Sequence, residues 1–102
     1  MRVLVVSRPQ FFVPPDQFPV LFDAFADWRE RYRDSMESFE FFAGSGGGFG
    51  IINMPDEAAL HQMMLEYPFL PFSDIEVRPL LDGDAALGQW RQAMRQMMGD
   101  AS

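Results

Sequence analysis

Between Gly44 and Gly50 the chain places five glycines in seven residues, reading Gly-Ser-Gly-Gly-Gly-Phe-Gly. A run of this kind either cradles a phosphate or turns a hairpin, and the two lead to different folds. A dinucleotide fingerprint asks for Gly-x-Gly-x-x-Gly after a strand and at the opening of a helix. Counted from Gly44 and Gly46 the third position is Phe49, and counted from Gly46 and Gly48 it is Ile51. A P-loop ends in Gly-Lys-Ser/Thr, and this sequence holds no lysine. The run also leads into a strand-like segment, so no helix N-terminus is offered to a phosphate. A hairpin needs only residues that accept positive φ between two apolar strands. Gly48 and Gly50, beside or inside the second strand, then mark the close approach of another backbone or of a ligand.

Around this hairpin the apolar period switches in a fixed order. Residues 3–6 are all Val or Leu, with Val3 and Val5 on one face and Leu4 and Val6 on the other, as in a central strand. From residue 17 to about 36 the period is helical. Phe18, Leu21, Phe22, Phe25, Trp28 and Tyr32 make one stripe. Asp16 is the candidate cap, and Pro19 falls in the first turn, where a missing N–H costs nothing. Residues 38–43 and 49–53 read as strands. Asp56 opens a second helix with Leu60, Met63, Met64 and Tyr67 as its stripe, and Pro68 ends it. Residues 73–81 alternate, with Ile75 and Val77 opposite Glu76 and Arg78. Residues 84–99, with Asp84 as cap and Gly99 as stop, carry Leu87, Trp90, Met94 and Met97 in helical register.

The order is β-α-β-β-α-β plus a terminal helix. That is the α+β, ferredoxin-like pattern: a four-stranded antiparallel sheet with two helices on one face and an extra C-terminal helix. The expectation is a single domain spanning residues 1–102, with its core in 1–82 and the last helix in 84–99. Apolar side chains project from both faces of these strands, so the face away from the helices needs a cover. A second copy meets that need, with sheets packed face to face or the C-terminal helix laid over a neighbour.

Composition closes off several classes of function. Fifteen acids against eight arginines give a net charge of -7, which disfavours nucleic-acid backbones and anionic membrane surfaces. The absence of cysteine excludes disulfides, thiolate catalysis and Cys-ligated zinc, and fits a cytoplasmic protein. Residues 3–6 are too short for the core of a signal peptide, and no run approaches the roughly 20 apolar residues of a membrane span. A single histidine, His61, makes a histidine metal site improbable. Composition therefore leads to the expectation of no cysteine or histidine metal site.

Few residues remain for chemistry. His61 stands beside Leu60 at the edge of the second helix's stripe, as an acid or base near neutrality or as a boundary histidine bonded to a neighbour. Glu40 lies among Phe39, Phe41 and Phe42; it is either a carboxylate with a raised pKa or an outward strand position in solvent. Residues 28–33 interleave Trp28 and Tyr32 with arginines, a pattern seen in single-strand nucleic-acid binders. Helical spacing turns both rings to the core and leaves the arginines on a solvated face shared with acids.

Residues 54–77, MPDEAALHQMMLEYPFLPFSDIEV, resemble the muconolactone isomerase family in Pro55, Ala59-Leu60-His61, Pro68, Pro71 and Asp74-Ile75-Glu76-Val77. The resemblance implies a ferredoxin-like subunit of a homo-oligomer with a pocket between sheet and helices. It implies a cofactor-free shift of a double bond in a small unsaturated lactone acid, in the degradation of aromatic compounds. Such a shift needs a base to take a proton beside a carbonyl and a group to hold the enolate-like charge. The candidates are His61 or Glu40 as base and Arg8 or Tyr32 as partner for a carboxylate or enolate. Trp28 and Phe41 are candidate binding surfaces for an apolar carbonyl compound or lactone. The chain departs from the family where Ser45 and glycines replace polar and aromatic residues before the third strand, and in its Phe-rich first helix without lysine. Two other readings stay open: a non-catalytic binding or assembly subunit, and a cofactor-free monooxygenase or cyclase of the same architecture.

Overall fold

A computed structural model of the chain describes residues 1–99. The strands are β1 (Arg2–Pro9), β2 (Met36–Phe41), β3 (Gly48–Asn53) and β4 (Ser73–Pro79), and the helices are α1 (Phe18–Arg31), α2 (Glu57–Leu65) and α3 (Gly83–Gly99). The sheet order is β2-β3-β1-β4 with every neighbour antiparallel. This is the α+β, ferredoxin-like arrangement that the alternation of periods predicts.

Register fixes which side chains share a face. Val3 pairs with Ile52, Val5 with Gly50 and Val77, and Ser7 with Gly48 and Ile75. Phe39 and Phe41 pair with Gly50 and Gly48. These residues all look toward α1 and α2, because directly opposed residues on a pleated sheet point the same way. On this face Val3, Val5 and Ile52 are buried against Trp28, Met54, Leu60 and Met63, with Val3 and Met63 at 0% exposure. The other face carries Leu4, Val6, Phe49 and Ile51, flanked by the ion pairs Arg2–Glu37 at 2.9 Å and Arg8–Glu76 at 3.3 Å.

Several boundaries differ from the sequence expectation: Gln17 and not Asp16 is the N-cap of α1, with no side-chain cap bond, β2 runs two residues earlier than 38–43, and β4 stops two residues short of 81. α1 ends at Arg31 because Tyr32 leaves the helical region (φ -104°, ψ 11°); a single tight turn over Arg33–Ser35 then delivers the chain to β2 at Met36. α2 starts as expected, with the Asp56 carboxylate accepting from Ala59 N–H at 2.8 Å, and ends at Leu65. α3 is capped by Asp82, not Asp84: the Asp82 carboxylate accepts from Ala85 N–H at 3.0 Å and its carbonyl from Ala86 N–H at 2.9 Å. Leu80 is still bonded to the sheet, its N–H reaching the Arg2 carbonyl at 2.8 Å, so the first turn of α3 forms immediately after it.

α3 buries none of its side chains. Trp90 is 69% and Met97 81% exposed. The molecule extends 69 × 26 × 21 Å with a radius of gyration of 18.4 Å, against about 13 Å for a compact chain of this length. No helix among the described residues is long and apolar enough to cross a membrane.

Candidate functional site

The glycine run closes a hairpin. Phe42 N–H donates to the Gly47 carbonyl at 2.9 Å, and Gly44, Gly46 and Gly47 all have φ between 74° and 78°. Two glycines are also required by space. A Cβ on Gly47 would stand 2.3 Å from the Ser7 carbonyl oxygen, and one on Gly48 would stand 2.1 Å from that of Glu40. The chain therefore threads bare backbone between the ends of β1 and β2.

Behind this hairpin lies a cavity of about 550 Å³, within the range of pockets that enclose small organic ligands. One side is the sheet face of Val5, Ser7, Phe39, Phe41, Gly48, Gly50 and Ile52. The other side comes from α1, from the connection before it, and from the segment between α2 and β4. That connection, with Phe11, Phe12 and Val13, is tied down by Gln10 and Phe11 N–H donating to the Phe72 carbonyl at 2.9 and 3.0 Å. Ten of the eleven phenylalanines line the cavity, every one except Phe42. Phe25 is the hub of this wall, its ring centroid 5.7 to 6.1 Å from those of Trp28, Phe39, Phe41, Tyr67 and Phe69. Each aromatic pair at such a separation contributes about 0.5–1.5 kcal/mol beyond burial.

The polar groups within this lining are few. Ser7 Oγ and Tyr67 Oη are 2.9 Å apart, and Ser73 also lines the cavity. Burial pushes the Tyr67 hydroxyl above its ordinary pKa of 10.0, while hydrogen bonds from Ser7 and Ser73 pull the other way. Tyr67 therefore stays a neutral O–H donor at physiological pH. Two hydroxyls bonded to each other use one proton between them and keep one for a third group.

The residues singled out from sequence divide between this cavity and the surface. Trp28 and Phe41 line it; Trp28 is 6% exposed and donates its Nε1–H to the Met63 carbonyl at 3.0 Å. Glu40 borders the cavity only through its strand position: it pairs with Phe49, so its side chain lies on the sheet face opposite to Phe39 and Phe41, and it is exposed. His61 is exposed on α2, outside the lining. Arg8 lies on the opposite sheet face with Glu76. The Tyr32 hydroxyl donates to the Glu66 carboxylate, which also pairs with Arg31 at 3.5 Å, and Tyr32 is not part of the lining. The cavity thus brings together Trp28 and Phe41, has Glu40 at its edge with the side chain turned outward, and leaves out His61, Arg8 and Tyr32. Sequence reasoning passed over Ser7, Tyr67 and Ser73. One signal for Ser7 was available: it continues the Val3–Val5 alternation on the interior face.

Neither a protein-family profile nor a curated protein sequence matches this chain. Similarity is found among solved structures. A muconolactone isomerase crystal structure is 22% identical, with a TM-score of 0.72, covering 80% of this chain and 90% of its own. The 5-chloro-2-hydroxyhydroquinone dehydrochlorinase of Burkholderia phenoliruptrix, in complex with 2,5-dihydroxybenzoquinone, is 17% identical with a TM-score of 0.60, covering 83% of this chain and 98% of its own. At these identities the likeness is one of fold.

Proposed function

We propose that this protein binds a small apolar carbonyl compound or lactone in the aromatic cavity, without a cofactor. The observation that carries the reading is the Ser7–Tyr67 hydroxyl pair, 2.9 Å across, set in an apolar wall rich in phenylalanine. Apolar walls supply affinity through burial, and a few convergent polar groups orient the ligand. The spare O–H of the pair donates to the ligand's carbonyl oxygen. Fold likeness to muconolactone isomerase and to a quinone-binding dehydrochlorinase supports a ligand of this kind.

A second reading, isomerisation, is supported by the fold likeness to muconolactone isomerase; its candidate base is Glu40, whose strand position borders the cavity and whose side chain, on the other sheet face, must reach round the edge strand β2. In that reaction Glu40 takes a proton from the carbon beside the carbonyl. The C–H electrons move into a new C=C bond, the hydroxyl pair holds the enolate oxygen, and the proton returns to the far carbon of the shifted double bond. His61, exposed on α2, has no part in this route. The proposal also includes self-association, supported by the uncovered stripe of Leu87, Trp90, Met94 and Met97 on α3.

Saturation-transfer NMR with 1-tetralone tests the binding reading: transfer is expected from the native chain and about tenfold weaker affinity from Tyr67→Phe. No transfer from the native chain refutes it. For the second reading, muconolactone in D2O should gain deuterium with the native chain and not with Glu40→Gln; equal incorporation in both removes Glu40 as base.

A further inference from the structure

We infer that the cavity selects flat, uncharged carbonyl compounds of fused rings and rejects carboxylates, an inference that rests on the binding reading above. Its ground is the distribution of charge. Every side-chain cation outside the lone histidine is an arginine, and none of the eight lines the cavity. Five of them, Arg2, Arg8, Arg31, Arg33 and Arg78, are held in ion pairs elsewhere. Arg29 lies 4.5 Å from the centroid of the Phe39 ring and does not itself reach the lining. The chain as a whole carries a net charge of -7, which adds no attraction for an acidic ligand.

A ligand carboxylate entering this space would leave water for phenylalanine and meet no cation. An ion desolvated without a partner is strongly disfavoured. A neutral carbonyl avoids that penalty and finds a donor in the Ser7–Tyr67 pair. Shape adds a second restriction. Gly48 and Gly50 put bare strand backbone on one side of the space, and the ring-bearing residues of α1 and its preceding connection stand on the other. A slot between peptide planes and phenyl rings favours a rigid planar ring system that stacks on both.

The test uses three compounds of one ring system: 9-fluorenone, 9-fluorenone-4-carboxylate and the methyl ester of that acid. Binding is read from Trp28 fluorescence in a Trp90→Phe background, since Trp90 lies on the exposed face of α3. The ketone and the ester are expected to bind, and the carboxylate at neutral pH about 100-fold or more weakly. Acid binding equal to that of the ketone overturns the charge selection and leaves the binding reading intact. Exclusion of the ester along with the acid also overturns it, because size and not charge is then the filter. Failure of all three to bind refutes the binding reading itself, and the selectivity falls with it.

Discussion

Ser7 and Tyr67, sixty positions apart in the chain, meet hydroxyl to hydroxyl at 2.9 Å inside the aromatic cavity. One comes from the second half of β1, a central strand, and the other lies two residues past the end of α2, just before Pro68. The pair links the sheet to the helical layer at the place where the cavity has its polar end.

Removing the Tyr67 hydroxyl tests both sides of this link. Tyr67→Phe is expected to cost about 1 kcal/mol of stability in a denaturant titration, the usual net worth of one such bond. Because Tyr67 has a pKa raised above 10.0 in the folded chain, its contribution is complete below the unfolded value and is lost as pH rises through the folded one. A spectrophotometric titration of the native protein should show a tyrosine ionising above the ordinary range, and Tyr67→Phe should lack that step.

Trp28 is the most deeply placed ring of α1, and its indole N–H satisfies the Met63 carbonyl at 3.0 Å. Trp28→Phe removes that donor, leaves the Met63 carbonyl with only the Glu66 N–H at 3.2 Å, and opens a void. The expected loss is about 2–4 kcal/mol, read from the midpoint of urea unfolding at unchanged slope.

Acid should weaken the fold through its surface carboxylates. Glu37 is held below its ordinary pKa of 4.5 by hydrogen bonds from Arg2 and then Asn53, Glu30 by Arg33, and Glu76 by Arg78 and Arg8. A depressed folded-state value gives stability that is present above the unfolded pKa and is lost as pH falls through the folded one. Melting temperature should therefore hold steady down to about pH 5 and drop below it. Glu37→Gln should lie below the native protein at pH 7 and converge with it at pH 3; parallel curves would remove Glu37 from the account.

The two glycines of β3 should respond differently to a methyl group. At Gly48 the new Cβ would meet the Glu40 carbonyl at 2.1 Å, so β2 and β3 must part locally, and Gly48→Ala is expected to cost about 1–3 kcal/mol. At Gly50 the nearest atoms are the Ser38 carbonyl oxygen at 3.2 Å and Ile52 Cγ1 at 3.8 Å. Gly50→Ala should keep nearly native stability and weaken ligand binding, because the methyl group takes cavity space. Calorimetry and a binding titration on both variants separate the two effects.

The fold was legible because each element carries its own period and its own punctuation. Pro9, Asp56 and Pro68 each stand at or within three residues of an observed boundary. The end of α1 was not legible, since Tyr32 and Met36 continue the stripe into a tight turn and a strand that pack on the same core. Asp82 and Asp84 are equally good caps as residues, and only the last sheet bond of Leu80 decides between them. The cavity itself left no trace in the pattern. Phe18, Phe22 and Phe25 read as core because periodicity reports which way a side chain faces and not whether the space in front of it is filled. Phe22 is in fact 51% exposed. The same limit hid Tyr67, which looked like one more member of an apolar stripe.

α3 has a consequence for how the whole chain behaves in solution. Its 17 residues bury no side chain, and a helix of that length supported mainly by its own hydrogen bonds and one cap is marginal in water. The helical content of the protein is therefore partly a property of its surroundings. Whatever covers Trp90 and Met94 raises it, and under the proposed self-association dilution lowers it. The far-ultraviolet circular dichroism of this chain is thus a gauge of how much company α3 keeps.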